Sequence, residues 1–415
     1  MPERRRAPLY ALFVADAISL SGNIIALVAI PWFVLQETGS AALTGLSGFF
    51  AFLPIVFAAF FGGVVVDRLG FRTTSVVADV ASAVAVAGIP ALHLTVGIEL
   101  WQLFALVFLG ALLDAPGATA RRALLPDLVE LAGMRMERAT SIAQAIRQGS
   151  YLVGAPIGGL LVAVMGAPNT LWVDAASFLA SAALIGMLAP IAVTAAREEK
   201  TGYFADLAEG LRFVWRDRLI RAVVLTVLVT NFLDAPLSPV ILPVLVDAEF
   251  GSAEYLGLLL GVFGAASVAG AVAFGVIGHR LPRRRTFVIA FFVTSIPYFA
   301  LAATPALAVT VAVITVFGFT GAPLNPILAT VAYERIPAAL RGRVLGTATA
   351  AAYAAIPLGI LIGGLLIEAI GVGATLLAIG LCYFAVTAYG FFNPAFREMD
   401  RRPDSVPMPE PLRVR

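Results

Sequence analysis

Lysine, histidine and cysteine are nearly missing from this sequence of 415 residues, which holds a single lysine, two histidines and one cysteine. Lys200 is not preceded by the glycines of a phosphate-binding loop, so ATP hydrolysis by this chain is excluded. His93 and His279 fall on opposite sides of the chain's alternating apolar pattern, and there is neither an HExxH pair nor a Gly-x-Ser-x-Gly elbow. No metal, no cofactor and no enzymatic activity are expected. A lone Cys382 excludes an intrachain disulfide. Charge is scarce as well, at 13% of residues.

What fills the sequence instead is apolar: 60% of residues are hydrophobic and the mean hydropathy is +0.94, outside the range of soluble domains. A bilayer core of ~30 Å needs apolar runs of ~20 residues. Twelve are present, at 9–35, 43–66, 74–96, 99–120, 138–165, 169–193, 219–246, 254–278, 286–304, 306–332, 343–370 and 372–393. With an inside N-terminus, all but one of the 28 basic residues fall on one face, Arg147 being the exception within a span. The positive-inside rule then puts both termini in the cytoplasm of a cell inner (plasma) membrane protein. Outer loops carry Glu37, Glu99, Asp247, Glu249 and Glu254. No cleavage site follows the basic N-terminus, so Met1 onward is read as retained.

The second half of the chain repeats the first. Pro31 and Pro243, Gly39 and Gly251, Gly63 and Gly275, and Arg68 and Arg280 are each 212 residues apart. Gly158-Gly159-Leu160-Leu161 returns 205 residues on as Gly363-Gly364-Leu365-Leu366, and Gly166 and Gly371 keep that offset. Offsets held through six spans predict two related six-span bundles, with a substrate site at their interface. The expected divisions are 1–193, a linker at 194–218, 219–393, and a disordered tail at 394–415. Within the linker, Phe204, Leu207, Leu211, Val214 and Trp215 recur at helical spacing, predicting an amphipathic helix on the membrane surface that tethers the halves. Prolines cluster at Pro236, Pro239 and Pro243 and at Pro323 and Pro326, predicting bends in spans 7 and 10.

Between spans 2 and 3 lies Gly63-Val64-Val65-Val66-Asp67-Arg68-Leu69-Gly70-Phe71-Arg72. This glycine-spaced charged turn resembles the signature that follows the second span in the major facilitator superfamily of transporters. Gly149, Gly154, Pro156, Gly158 and Gly159 in span 5 resemble that superfamily's antiporter motif, with Ala155 inserted before the proline. Arg121 to Asp127, the stretch around Asp174-Ala175-Ala176-Ser177-Phe178, and Arg341-Gly342-Arg343 resemble the branch of macrolide and enterobactin exporters. The resemblance spans 9–393. It implies an all-α integral membrane fold of twelve transmembrane helices in two pseudo-symmetric bundles, with spans 1, 4, 7 and 10 lining a cavity. It also implies a conformational gate in which Asp67, with Gly63, Arg68, Gly70 and Arg72, faces Arg341 or Arg343 at the start of span 11. At the repeat-related position of Asp67 stands His279.

Charges inside spans are functional candidates because each is costly in hydrocarbon. Counted at ~1.5 Å per residue, Asp16 in span 1, Arg147 in span 5 and Asp234 in span 7 lie near mid-depth. Asp16 is expected to pair with Arg147 and carry the coupling proton, with Asp234 or Asp114 as a second acid. Asp114 either faces the cavity or neutralises Arg121 and Arg122. Asp79 and Asp174 are read as structural acids near the interfaces. Together these features predict a secondary transporter acting as a monomer in the lipid bilayer, exchanging protons for an amphipathic organic substrate by efflux, with no nucleic-acid partner. The other readings are a metabolite importer or uniporter, and a non-transporting scaffold or receptor.

Overall fold

The structure, a computed structural model, describes residues 6–188, 203–303, 306–337 and 340–400; the side chains of 58–68 and 203–206 lie outside that description. Each apolar run becomes a helix, the conformation that satisfies every backbone group within its own segment when no water is at hand. The first half forms α1 (Ala7–Thr38), α2 (Ala41–Leu69), α3 (Phe71–Thr95), α4 (Leu100–Ala132), α5 (Met136–Met165) and α6 (Ala167–Leu188). After α7 (Tyr203–Arg216) come α8 (Arg218–Asp234), α9 (Leu242–Phe250), α10 (Ala253–Ile277), α11 (Arg283–Ala302), α12 (Leu307–Gly321), α13 (Leu324–Arg335), α14 (Arg341–Ile370) and α15 (Val372–Phe392). α8 with α9, and α12 with α13, each make one broken span. Among the described residues 11 spans are long and apolar enough to cross a bilayer, and α2 adds the apolar stretch Ala41–Phe57.

The breaks fall where the prolines cluster. Pro236 precedes a π-helical turn, Leu237–Ile241, that contains Pro239, Pro243 follows in the first turn of α9, and Pro323 separates α12 from α13. By contrast Pro31, Pro90, Pro116, Pro156, Pro297 and Pro357 sit inside unbroken helices. Duplication shows in the turns. Gly39 and Gly251 end α1 and α9 with φ of 65° and 67°, and Gly166 and Gly371 end α5 and α14 with φ of 83° and 82°.

Helices of each half pack on one another, α1 against α5 and α6 and α3 against α4 and α6, then α10 against α12, α11 against α15 and α14 against α8. Two seams join the halves, α5 on α10 and α2 on α14. At the first, a Cβ added to Gly257 would lie 2.9 Å from the Cα of Gly159; at the second, one added to Gly364 would lie 2.9 Å from the Cα of Gly45. Gly257 is Gly45 displaced by 212 residues and Gly364 is Gly159 displaced by 205, so the two backbone contacts are one contact repeated by the pseudo-symmetry. Both lie toward the face opposite the described chain ends. There Gln36 also donates to Asp247 at 2.6 Å, and Ser40 Oγ to Glu368 at 3.1 Å. Toward the terminal face Arg122, Arg147 and Tyr353 are exposed. The bundles therefore meet on the far side and leave these groups uncovered near the terminal one.

The linker helix α7 packs on α14 and α8, both of the second half. Val214 is buried there with Ile220, Ile336 and Val344, Glu209 pairs with Arg343, and Leu211 and Trp215 stay exposed. The first part of the linker, 194–202, lies outside the described residues. Of the tail expected to be disordered, 394–415, the first part is instead a 3₁₀ helix, Pro394–Asp400, which packs on α8 and α11 and buries Ala395, Phe396 and Met399; 401–415 lie outside the described residues, and with them the rest of that expectation.

Candidate functional site

One guanidinium gathers most of the buried charge of the first half. Arg121, 2% exposed, lies on α4 about two turns past Asp114. Its Nε donates to Asp16 Oδ1 at 2.8 Å, Nη1 to Asp79 Oδ1 at 2.6 Å, and Nη2 to Asp114 Oδ1 at 3.4 Å. The planar fork of an arginine suits this, because its donors point in fixed and different directions. α1, α3 and α4 are thereby tied together at one point. The acids differ in access: Asp79 is sealed at 0% exposure, whereas Asp114 and Asp16 keep 18% and 26%.

Neutral polar groups extend the cluster. Ser181 Oγ on α6 donates to Asp79 Oδ2 at 2.7 Å, and Asn23 Nδ2 on α1 donates to Asp114 Oδ2 at 3.2 Å. Beside Asn23 on α1, Gly22 packs against Asp174 and Ser177 of α6, and a Cβ there would lie 2.5 Å from Asp174 Oδ1. Asp174 is 1% exposed and its carboxyl accepts from Ser177 Oγ at 3.4 Å.

The expected partner of Asp16 is thus corrected. Arg121 holds it, while Arg147, on α5, is exposed and makes no ion pair among the described residues, although it stays within electrostatic reach of Asp16 and Arg122. The reason is the length of α4. A capping box of Glu99 and Gln102 starts it, and it continues through Pro126 to a left-handed Gly133, so Arg121 lies inside the bundle and not in a loop. Asp79 and Asp174, read as structural acids near the interfaces, are both buried, covered by the neighbouring helices. Asp114 does neutralise Arg121, one of the two alternatives held open for it.

The second half holds its acid differently. Asp234 ends α8 just before the π turn and is partly exposed. Tyr298 on α11 donates to Oδ1 at 2.5 Å and Tyr383 on α15 to Oδ2 at 3.3 Å, and both tyrosines are 0% exposed. Among the described residues no cation pairs with it.

Of the expected gate, Gly70 makes the turn with φ of 77°, and Arg72 donates to the carbonyl of Gly186. Arg341 bonds the carbonyls of Ile336 at 3.1 Å and Tyr333 at 2.9 Å, and Arg343 binds Glu209. Gly63, Asp67 and Arg68 lie outside the described side chains. In the antiporter-like motif, Gly154 and Gly158 face α1, Pro156 and Gly159 face α10, and Gly149 touches neither.

Two repeated bundles meeting along paired helices, with charge gathered inside them, define a transporter of the major facilitator class. A family model described as a transmembrane secretion effector, MFS_3, matches residues 5–414, and the chain belongs to that family. It is 34% identical over 405 residues to the "Multidrug efflux pump Tap" of Mycolicibacterium fortuitum, covering 96% of this chain and 99% of that protein. It is also 21% identical to "Macrolide efflux protein A" of Streptococcus pyogenes, covering 88% of this chain and 90% of the relative. Among solved structures, the nucleoside transporter NupG shares the fold with a TM-score of 0.76 at 13% identity, over 94% of this chain and 98% of that one.

Proposed function

We propose that this protein is a proton-coupled exporter of amphipathic organic compounds, drugs among them, working as a monomer in the plasma membrane with its terminal face in the cytoplasm. Near full-length similarity to a multidrug efflux pump supports export, and the basic residues on the terminal face support the orientation. The observation that carries proton coupling is the sharing of Arg121 by three carboxyl groups. Ionised together they leave an excess of negative charge inside a bilayer, which is costly. A proton taken up by Asp16 or Asp114, the two acids with access to solvent, relieves that excess and weakens a charge-assisted bond between α1 and α4, that of Asp16 with Arg121 or that of Asp114 with Asn23. Proton occupancy then biases the packing of α1 and α4, which is what coupling requires. Asp234, with hydroxyl donors and no cation among the described residues, meets the positive group of a cationic substrate. Asp67 with Arg341 or Arg343 closes the cytoplasmic face in the alternate state.

Expression in a bacterial host stripped of its own efflux pumps tests this. Resistance to several amphipathic compounds should rise and should vanish when a protonophore collapses the gradient. Export that persists without the gradient refutes coupling, and unchanged susceptibility across compound classes refutes export.

A further inference from the structure

A cavity of about 540 Å³ opens toward the terminal face between α8 and α15, beside the 3₁₀ helix Pro394–Asp400. Arg218 and Arg221, from the first turn of α8, and Arg397, from the 3₁₀ helix, line its polar end. Farther along the two helices its walls are apolar, with Leu225, Val229 and Val386. The one acid of the lining, Glu398, is already held by Arg335 at 2.5 Å. Arg218 and Arg397 make no ion pair among the described residues, and Arg221 bonds only the carbonyl of Trp215, at 2.8 Å. The mouth of the cavity is therefore cationic and its depth apolar.

The first bundle shows the same place filled. By the offsets of 212 and 205 residues, Arg221 corresponds to Leu9, Leu225 to Phe13 and Tyr389 to Leu184. Leu9 and Phe13 are 0% and 5% exposed in a core that includes Ile185, with Leu184 packed on it. In the second bundle Leu225 and Tyr389 are 44% and 62% exposed. Where one repeat closes the junction of its first and last helices with leucines, the other opens it and places an arginine at the mouth. Exposed Trp215 and Phe392 stand at the same end, the level at which aromatic side chains gather at a membrane interface.

We propose that this cleft binds an anionic phospholipid of the leaflet at the terminal face. The phosphate sits among Arg218, Arg221 and Arg397, with the amide of Asn393 and the hydroxyl of Tyr389 as further donors, and an acyl chain follows Leu225, Val229 and Val386. Basic pockets between membrane helices recognise headgroups in this way. A zwitterionic lipid brings its own cation against three arginines, and free phosphate lacks the chain that the apolar wall accepts.

Native mass spectrometry of the full-length protein in mild detergent, with phosphatidylglycerol and phosphatidylcholine added together, tests the assignment without reference to transport. Wild type should retain phosphatidylglycerol selectively and keep it in millimolar inorganic phosphate. Each of R218Q, R221Q and R397Q should weaken retention about fivefold, and the triple variant roughly a hundredfold, at about 1 kcal/mol for each basic side chain. R135Q/R138Q, on the same face of the first bundle, should leave it unchanged. Equal retention by the single and triple variants, equal retention of phosphatidylcholine, or displacement by inorganic phosphate each overturns the proposal.

Discussion

Replacing Asp16 with asparagine removes one ionisable group from the Arg121 cluster and almost no volume. Arg121 then loses a charged partner at 2.8 Å but keeps Asp79 at 2.6 Å and Asp114 at 3.4 Å. A hydrogen bond to a charged group contributes ~1.5–3 kcal/mol and a neutral one ~0.5–1.5 kcal/mol, so the substitution costs about 1 kcal/mol, less at a site that solvent partly screens. The protein should fold and insert. Its transport should change far more, because each proton moved through 100 mV supplies about 2.3 kcal/mol, roughly fiftyfold in the substrate ratio that can be sustained. Inside-out vesicles carrying D16N and a fluorescent amphipathic dye separate the two steps. Gradient-driven accumulation should collapse while downhill exchange of dye survives. Accumulation at the wild-type level would show that Asp16 does not carry the proton.

Arg121→Lys keeps the charge but cannot point three donors along a fixed fork, so thermal unfolding in detergent should show a loss of about 1–3 kcal/mol with active export abolished; unchanged stability would mean that one ion pair suffices. Gly257→Ala sets a Cβ 2.5 Å from the carbonyl of Ala155, so the far-side seam should no longer close. A cysteine at Ser252, in a Cys382→Ser background, should then label faster than in the parent. Tyr298→Phe deprives Asp234 of its 2.5 Å donor and should lower stability by about 1–3 kcal/mol, more than Tyr383→Phe, which removes a bond of 3.3 Å. Asp234→Asn should impair export of cationic compounds more than neutral ones in drug-susceptibility assays, and an equal loss for both would remove its role in meeting substrate charge.

Much of the architecture was legible because a membrane chain has few ways to satisfy its backbone. Apolar runs gave the helices, the proline clusters around Pro236 and Pro323 gave their breaks, and glycines at matching offsets gave the repeat that Gly39 and Gly251 then confirmed with matching turns. The site was legible only in part. Asp16, Asp114 and Asp234 stood out because acids inside apolar runs are rare, yet their partners depend on helix rotation, which depth along a helix does not reveal. Arg147 lies at a depth similar to that of Asp16 and is exposed on another helix. Arg121 looked like a loop residue because hydropathy falls off near 120, although the helix runs to Ala132. Tyr298 and Tyr383 carried no signal at all, since a tyrosine in an apolar run is ordinary until an acid is found beside it. A better cue existed for Arg121: it follows Asp114 by seven residues, the spacing that puts two side chains on one helix face.

Duplication preserved the level of the buried acids but not their owners. Asp234 occupies the place of Gly22 under the offset of 212 residues, and Tyr383 the place of Phe178 under that of 205. In the first bundle the small residue is on the opening helix, and the acid, Asp174, comes from the closing helix to fill the space beside Gly22. In the second the acid is on the opening helix itself, so the closing helix supplies a phenol in place of a carboxyl. Both arrangements put one carboxyl at the junction of first and last helices, since two at the same point would repel without a cation between them. The cation that the first bundle does contain is engaged one layer away, on Asp16, Asp79 and Asp114. The two bundles thus share a backbone plan and differ in charge: one gathers its acids around a guanidinium, and the other holds Asp234 with two phenols and, among the described residues, no cation.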